Sequence, residues 1–399
     1  MADGMNEPGV RKRHPTPARA PFKMPERLQQ MLDRGKAEIA APFKGITADG
    51  TVPPGLFRLE KTGVSPQPVI DAADAFLAAL SPAQRRAATF PVDSDAWRSW
   101  SNIHPFMLRH GVLLETLDGT QREGALALIR ASLGADGYRT ARDVMKLNET
   151  ILEITQKPDE YGEWLYWVSV MGEPSASAPW GWQIDGHHLI INCFVLGDQL
   201  VVTPLFMGSE PVHARSGKYA GTRVFEEEER KGFLLMSALT PEQRAKATIG
   251  MNLPLDVITT AFHDNMRLPY QGIRYAELSR EQRELVERLL GLYVGRIRPG
   301  HAEIRYAEAK RHLDDTYFAW MGHCDDASPF YYRLHSPVVL IEFDHQPGIA
   351  LDNDEHSHRH IHTIVRTPNG NDYGNDLLRQ HYAAFDHNNP RSPHRQGRT

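Results

Sequence analysis

From Trp164 onward the chain carries short runs of aromatic and β-branched residues, whereas before it the apolar residues recur at helical spacing. This change of pattern constrains the fold more than any other feature. The run Trp164-Leu165-Tyr166-Trp167-Val168-Ser169-Val170 suits a strand, because branched and aromatic side chains pack well on a pleated surface. Residues 188–196 predict a second strand, and Gly197-Asp198 turns the chain into a third over 199–204. Further strands are expected over 317–320, 331–334, 338–344 and 360–366. Helical periodicity marks 26–40, 70–90, 120–133 and 138–156, then 225–238, 241–248, 280–294, 300–314 and 376–385. Strands that cluster apart from helix runs predict an α+β fold with a mainly antiparallel sheet packed with helices.

The same pattern suggests an organisation. A disordered arm over 1–25 precedes a mostly helical region over 26–160. An α+β region with a metal site follows over 161–387, and a disordered tail closes the chain over 388–399. One local motif recurs: Leu80-Ser81-Pro82-Ala83-Gln84-Arg85, Leu239-Thr240-Pro241-Glu242-Gln243-Arg244 and Leu278-Ser279-Arg280-Glu281-Gln282-Arg283. Each has the Ser/Thr-to-Gln spacing of a capping box. A duplicated fold would produce this, and so would three well-capped helix starts. Irregular spacing between the copies counts against a solenoid.

Composition excludes several classes. The 399 residues are 41% hydrophobic and 24% charged, the globular range, and a formal charge of −5 with no basic stripe argues against nucleic acid as a partner. No apolar stretch reaches the roughly 20 residues that span a bilayer, so no membrane partner is expected. The first 24 residues lack an apolar signal core, which predicts a cytoplasmic protein. Cys193 and Cys324 are the only cysteines, so any metal must be held by nitrogen and oxygen.

Those ligands are abundant. Among 19 histidines, one group is Asp185-Gly186-His187-His188, and a second runs from Glu342-Phe343-Asp344-His345 to His356-Ser357-His358-Arg359-His360-Ile361-His362. Residues two apart on a strand share a face, so His360 and His362 point the same way and Ile361 the other. Glu342 and Asp344 share a face by the same rule. Glu342 ends an apolar run, where a carboxylate is costly unless paired, protonated or metal-bound. His187 and His188 are adjacent, so both reach one metal only at a bulge or where the strand begins, which Gly186 permits. Either one can be the ligand on this reading. Trp180, Trp182, Gln183 and Trp320 have the composition of a small-molecule pocket, and equally that of a sheet core. Arg366, Asn371, Asp372 and Tyr373 form a polar turn region beside the last strand. Nucleophile-elbow, Walker, dinucleotide-binding and HExxH motifs are absent.

Several segments taken together resemble the uncharacterised DUF3500 family. They are 179–189, Thr203-Pro204-Leu205-Phe206-Met207-Gly208, Asp315-Thr316-Tyr317-Phe318-Ala319-Trp320, Val339-Leu340-Ile341-Glu342-Phe343, 360–366 and Asn371-Asp372-Tyr373-Gly374. The resemblance runs from about residue 70 to 385. It implies that His187, His188, Glu342, His360, His362, Gln183, Arg366 and Asp372 belong to a shared polar pattern. Asp185, Asp344, His345 and His356 depart from it.

The expectation drawn from these residues is a metal-dependent enzyme acting on a small organic substrate, a hydrolase using metal-activated water. Zn, Fe or Mn would be held by Glu342, His360, His362 and one of His187 or His188. Asp185, His187 and Arg366 are the catalytic candidates. Trp180, Trp182, Gln183, Trp320, Asp372 and Tyr373 are the substrate-binding candidates. Two alternatives stand beside it: a non-haem iron oxygenase for an aromatic or ring substrate, and a non-enzymatic binding protein.

Overall fold

A computed structural model describes residues 26–102, 110–351 and 353–385. The expected arm over 1–25 and tail over 388–399 lie outside the described residues. After α1 (Glu26–Ala40), a first half comprises α2 (Gln67–Ala79), α3 (Pro82–Ala88), β1 (Thr89–Phe90), β2 (Val112–Leu113), α4 (Gly119–Ser132) and α5 (Ala135–Thr155). It continues with β3 (Tyr166–Met171), β4 (Trp180–Gly186), β5 (Leu189–Leu196), β6 (Gln199–Val201) and β7 (Leu205–Ser209). A second half repeats the order with α6 (Glu226–Ser237), α7 (Pro241–Ala247), β8 (Thr248–Gly250), β9 (Ile273–Arg274), α8 (Arg280–Val294) and α9 (His301–Lys310). Then come β10 (Tyr317–Gly322), β11 (Phe330–His335), β12 (Leu340–Pro347), β13 (His356–Arg366) and finally α10 (Asn375–Ala384).

Among the described residues all thirteen strands join one mostly antiparallel sheet, which makes the fold α+β. Its order is β1-β3-β4-β5-β7-β13-β12-β11-β10-β8, so the halves meet at the antiparallel pair β7·β13. The internal repeat extends to side chains. Gln84 and Gln121 exchange amide hydrogen bonds, and Gln121 also donates to the Ala79 carbonyl. Gln243 and Gln282 do the same, with Gln282 donating to the Ala238 carbonyl. The first motif of each half caps α3 or α7, and the second caps α4 or α8. The fourth copy, Leu117 to Arg122, carries Asp118 at the cap in place of Ser or Thr. That substitution hides it from the sequence pattern and makes the spacing look irregular.

The two sheet faces differ in chemistry. On one, Trp182, Ile184, Ile191, Met207, Ile361 and Phe343 pack against the helices in the main apolar core. On the other, Ile190, Phe206 and Ile364 meet Trp100, Tyr373 and Leu377 beneath loops and α10. This second face also carries a buried polar row: Glu342, Asp344, His360, His362 and Arg366. The expected strand over 199–204 divides instead: β6 ends at Val201 and β7 starts after Pro204, whose missing N–H cannot enter a ladder. β4 lies where the sequence reads as a loop. Gly181 is required there, because a Cβ would come within 2.2 Å of the Cys193 carbonyl.

Candidate metal centre

β13 presents His360 and His362 on the polar face, as its alternation requires, and Ile361 is buried on the opposite face. β4 and β5 are joined by the two-residue turn His187-His188, with Gly186 paired to Leu189. His188 occupies this turn at φ 61°, a left-handed conformation that glycine or asparagine adopts more readily. Strain of this kind persists only where the surroundings impose it. Here Gly208 N–H bonds the His188 carbonyl at 2.8 Å, and the His187 ring stacks on His188 with centroids 3.9 Å apart.

The result is a three-imidazole cluster. His360 Nε2 lies 3.0 Å from His188 Nε2 and 2.9 Å from His362 Nε2. The outer nitrogens settle the tautomers of two rings. His360 Nδ1 donates to the Pro347 carbonyl at 2.8 Å, and His362 Nδ1 donates to Asp256 Oδ1 at 2.8 Å. If both rings are neutral, their Nε2 atoms then present lone pairs to each other. Such a contact is repulsive unless a proton or a metal ion lies between them. His360 itself holds a second proton poorly: burial, reinforced by the neighbouring His362, pushes its pKa well below its ordinary value. Metal–nitrogen bonds of about 2.0–2.1 Å in a tetrahedral shell place ligand nitrogens roughly 3.3 Å apart, so small outward shifts fit a metal ion. Outer-nitrogen bonds to a carbonyl and a carboxylate are also what metal-bound histidines usually make.

A loop holds Asp256 in place. Glu342 accepts hydrogen bonds from the backbone N–H groups of Ile258 and Thr259 at 2.8 and 2.9 Å, from the Thr259 hydroxyl, and from Tyr331 at 2.7 Å. Arg366 grips the same loop through the carbonyls of Thr259 and Thr260, and pairs with Asp264 and Asp372. Asp256 also accepts from Asn102 and Thr260. Burial acts to raise its pKa, but the charge a protonated His362 would carry and the hydrogen bond from its ring outweigh this and lower it.

The other sequence candidates fall as follows. Glu342 shares the face of the imidazoles, but its oxygens are engaged by the loop rather than grouped with the ring nitrogens. Gln183 bonds Asn192, His110 and the Trp97 carbonyl. Asp185 is buried beside the Ser101 amide, and burial pushes its pKa well up. His187 bonds Asn148 at 2.8 Å. Asp372 caps the Thr367 amide, and Tyr373 links Trp100 to Asp264. Trp180, Trp182 and Trp320 lie in the core on the opposite face, where Trp182 donates to Ser132 and Trp320 stacks on Phe330. They therefore line no pocket on the histidine side. Asp256, Asn102 and Glu210, whose carboxylate lies 3.8 Å from His360 Nδ1, have no counterpart among the sequence candidates, and nothing local in the sequence marks them. Asp344, the cross-strand partner of His362, is fully buried, and its Oδ1 meets no partner among the described residues.

Glu229, His345 and His358 form a second cluster, but its protons are already assigned. His345 Nδ1 accepts from the Phe330 amide, so its Nε2 carries hydrogen and donates to Glu229. His358 donates to Glu229 and to the Ala327 carbonyl. This is an ion-paired network with no lone pair directed at a common point.

Fold and site together define an α+β protein with a buried three-histidine centre between the halves of a duplicated sheet. The model of the family described as "Protein of unknown function (DUF3500)" matches residues 62–375, and the chain belongs to that family. No curated protein and no solved structure matches it.

Proposed function

We propose that this protein is a metal-dependent hydrolase of a small organic substrate, with one divalent ion held by His188, His360 and His362. The observation that carries the reading is the approach of three Nε2 atoms to 2.9–3.0 Å, with the outer nitrogens of His360 and His362 committed elsewhere. Three imidazoles without a grouped carboxylate favour zinc over the two-histidine, one-carboxylate set of the iron oxygenases. A divalent ion there supplies Lewis acidity and lowers the pKa of a coordinated water. His188, His360 and His362 are 5%, 1% and 6% exposed, which favours a small substrate. Asp344 has hydrogen-bonding capacity to spare on the same face, and we assign it to orienting water or substrate. No helix among the described residues is long and apolar enough to cross a membrane. Both cysteines are free, which suits the proposed cytoplasmic location.

The test is elemental analysis of untagged protein purified without chelator. About one zinc per chain is expected, with His360→Ala and His362→Ala each retaining little. Only trace metal in the wild type, even after reconstitution, would sink the reading. One iron per chain with oxygen uptake would replace hydrolysis by oxygenation.

A further inference from the structure

A cavity of 480 Å3 opens at the end of β7 and β13 remote from the imidazoles. Small-molecule sites typically occupy about 300–1,000 Å3. Leu205 and Val365, a cross-strand pair, form part of its wall. His362 lies three residues along β13 from Val365, roughly 10 Å at the rise of a strand. The cavity is therefore a separate place from the metal centre.

Its lining is apolar within and charged at the edge. Leu200, Val202, Leu205 and Val294 supply apolar surface. Arg305 donates to the Val338 carbonyl and the Thr367 hydroxyl and pairs with Glu308, so those two charges balance. Arg58 and Arg311 then stand against Glu60, leaving an excess of positive charge. One further group points to a ligand. His301 is 3% exposed and lines the cavity. Its Nε2 lies 3.0 Å from the Asp198 carbonyl, which can only accept, so Nε2 carries the proton and Nδ1 presents a lone pair. That Nδ1 is buried and meets no partner among the described residues. A buried acceptor left unmet is costly, and a donor on a ligand would satisfy it.

We propose that this cavity binds a small organic carboxylate with an apolar body and a hydroxyl or N–H donor. The carboxylate meets Arg58 and Arg311, the body lies on Leu200, Val202 and Leu205, and the donor reaches His301 Nδ1. The probe is 4-hydroxyphenylacetate, titrated calorimetrically into the full-length protein. Phenylacetate, which lacks the donor, and 4-hydroxyphenylethanol, which lacks the carboxylate, are run beside it. Saturable binding of the first is expected, with each truncated probe at least tenfold weaker. Leu200→Trp, which fills the cavity, should abolish binding. Arg311→Ala, an exposed change that leaves folding intact, should weaken it about tenfold. Removing metal with EDTA should leave the affinity unchanged, so this result stands apart from the metal reading. No binding of 4-hydroxyphenylacetate to the wild type would overturn the proposal. So would unaltered affinity in Leu200→Trp or Arg311→Ala, or binding that disappears with the metal.

Discussion

Asp256 and Glu342 are both buried or half-buried carboxylates near the histidines, yet the geometry gives them different work. Asp256 accepts the Nδ1 proton of His362 and so fixes that ring's rotation and tautomer. Glu342 holds the loop on which Asp256 rides. Replacing Asp256 with Asn weakens a charge-assisted bond without emptying the space. Metal affinity should fall about 10–100-fold, as is usual for partners of metal-bound histidines, while the melting temperature changes little. Glu342→Gln should behave in the opposite order. It turns an acceptor-only group into one whose amide faces backbone donors, at a cost of about 1–3 kcal/mol in stability. Its effect on metal should be the smaller of the two at a temperature where both variants are folded. Denaturant unfolding and competitive chelation read the two quantities separately. If Glu342→Gln loses metal while keeping full stability, Glu342 is a ligand and the loop assignment is wrong. Ile361→Ala supplies the control, since it removes core packing worth about 2–5 kcal/mol from the face opposite the imidazoles and should leave metal binding intact.

At the scale of elements, the centre depends on how closely β7 passes beneath the rings. A Cβ at Gly208 would lie 2.8 Å from His362 Cδ2 and 3.1 Å from His188 Cδ2. Gly208→Ala should therefore push two ligands outward together. The expected outcome is a loss of metal affinity of tenfold or more, with a stability cost of about 1–3 kcal/mol for overpacking. Unchanged zinc affinity in a folded Gly208→Ala protein would mean that these rings do not share an ion. The sequence makes β13 and the common face of His360 and His362 legible, because strand alternation is local. It leaves His187 and His188 unresolved, because the choice depends on a left-handed turn residue that no local pattern announces. Asp256 is illegible for a different reason. It comes from an irregular loop 106 residues away from His362, held by bonds to Glu342 and Arg366 that exist only once the sheet has formed. The tryptophans mislead because aromatic runs serve a core and a pocket equally well, and only the sheet's pairing decides which face they take.

The whole molecule supplies the last constraint, because the centre is divided between the halves. His188 comes from the first, and His360, His362 and Asp256 come from the second. The capping motifs already hint at the duplication, with partner glutamines 37 residues apart in one half and 39 in the other. Among the named strands of the described residues, β7·β13 is the one pair that joins the halves, and the isolated bridge Leu133–Ile297 also links them. Each half by itself would expose a long, buried central strand as an open edge, a template for aggregation. A break within the largely exposed segment 216–221 should therefore give two chains, residues 1–218 and 219–399, that are insoluble or unfolded when expressed separately. Expressed together, they should assemble through the restored pairing and recover about one metal per complex. The second fragment keeps two of the three imidazoles, so any soluble portion should bind metal far more weakly than the complex. Size-exclusion chromatography with metal analysis across the peaks measures both points. A monomeric second fragment that binds zinc as tightly as the intact chain would remove His188 from the centre and, with it, the reason for placing the site at the junction.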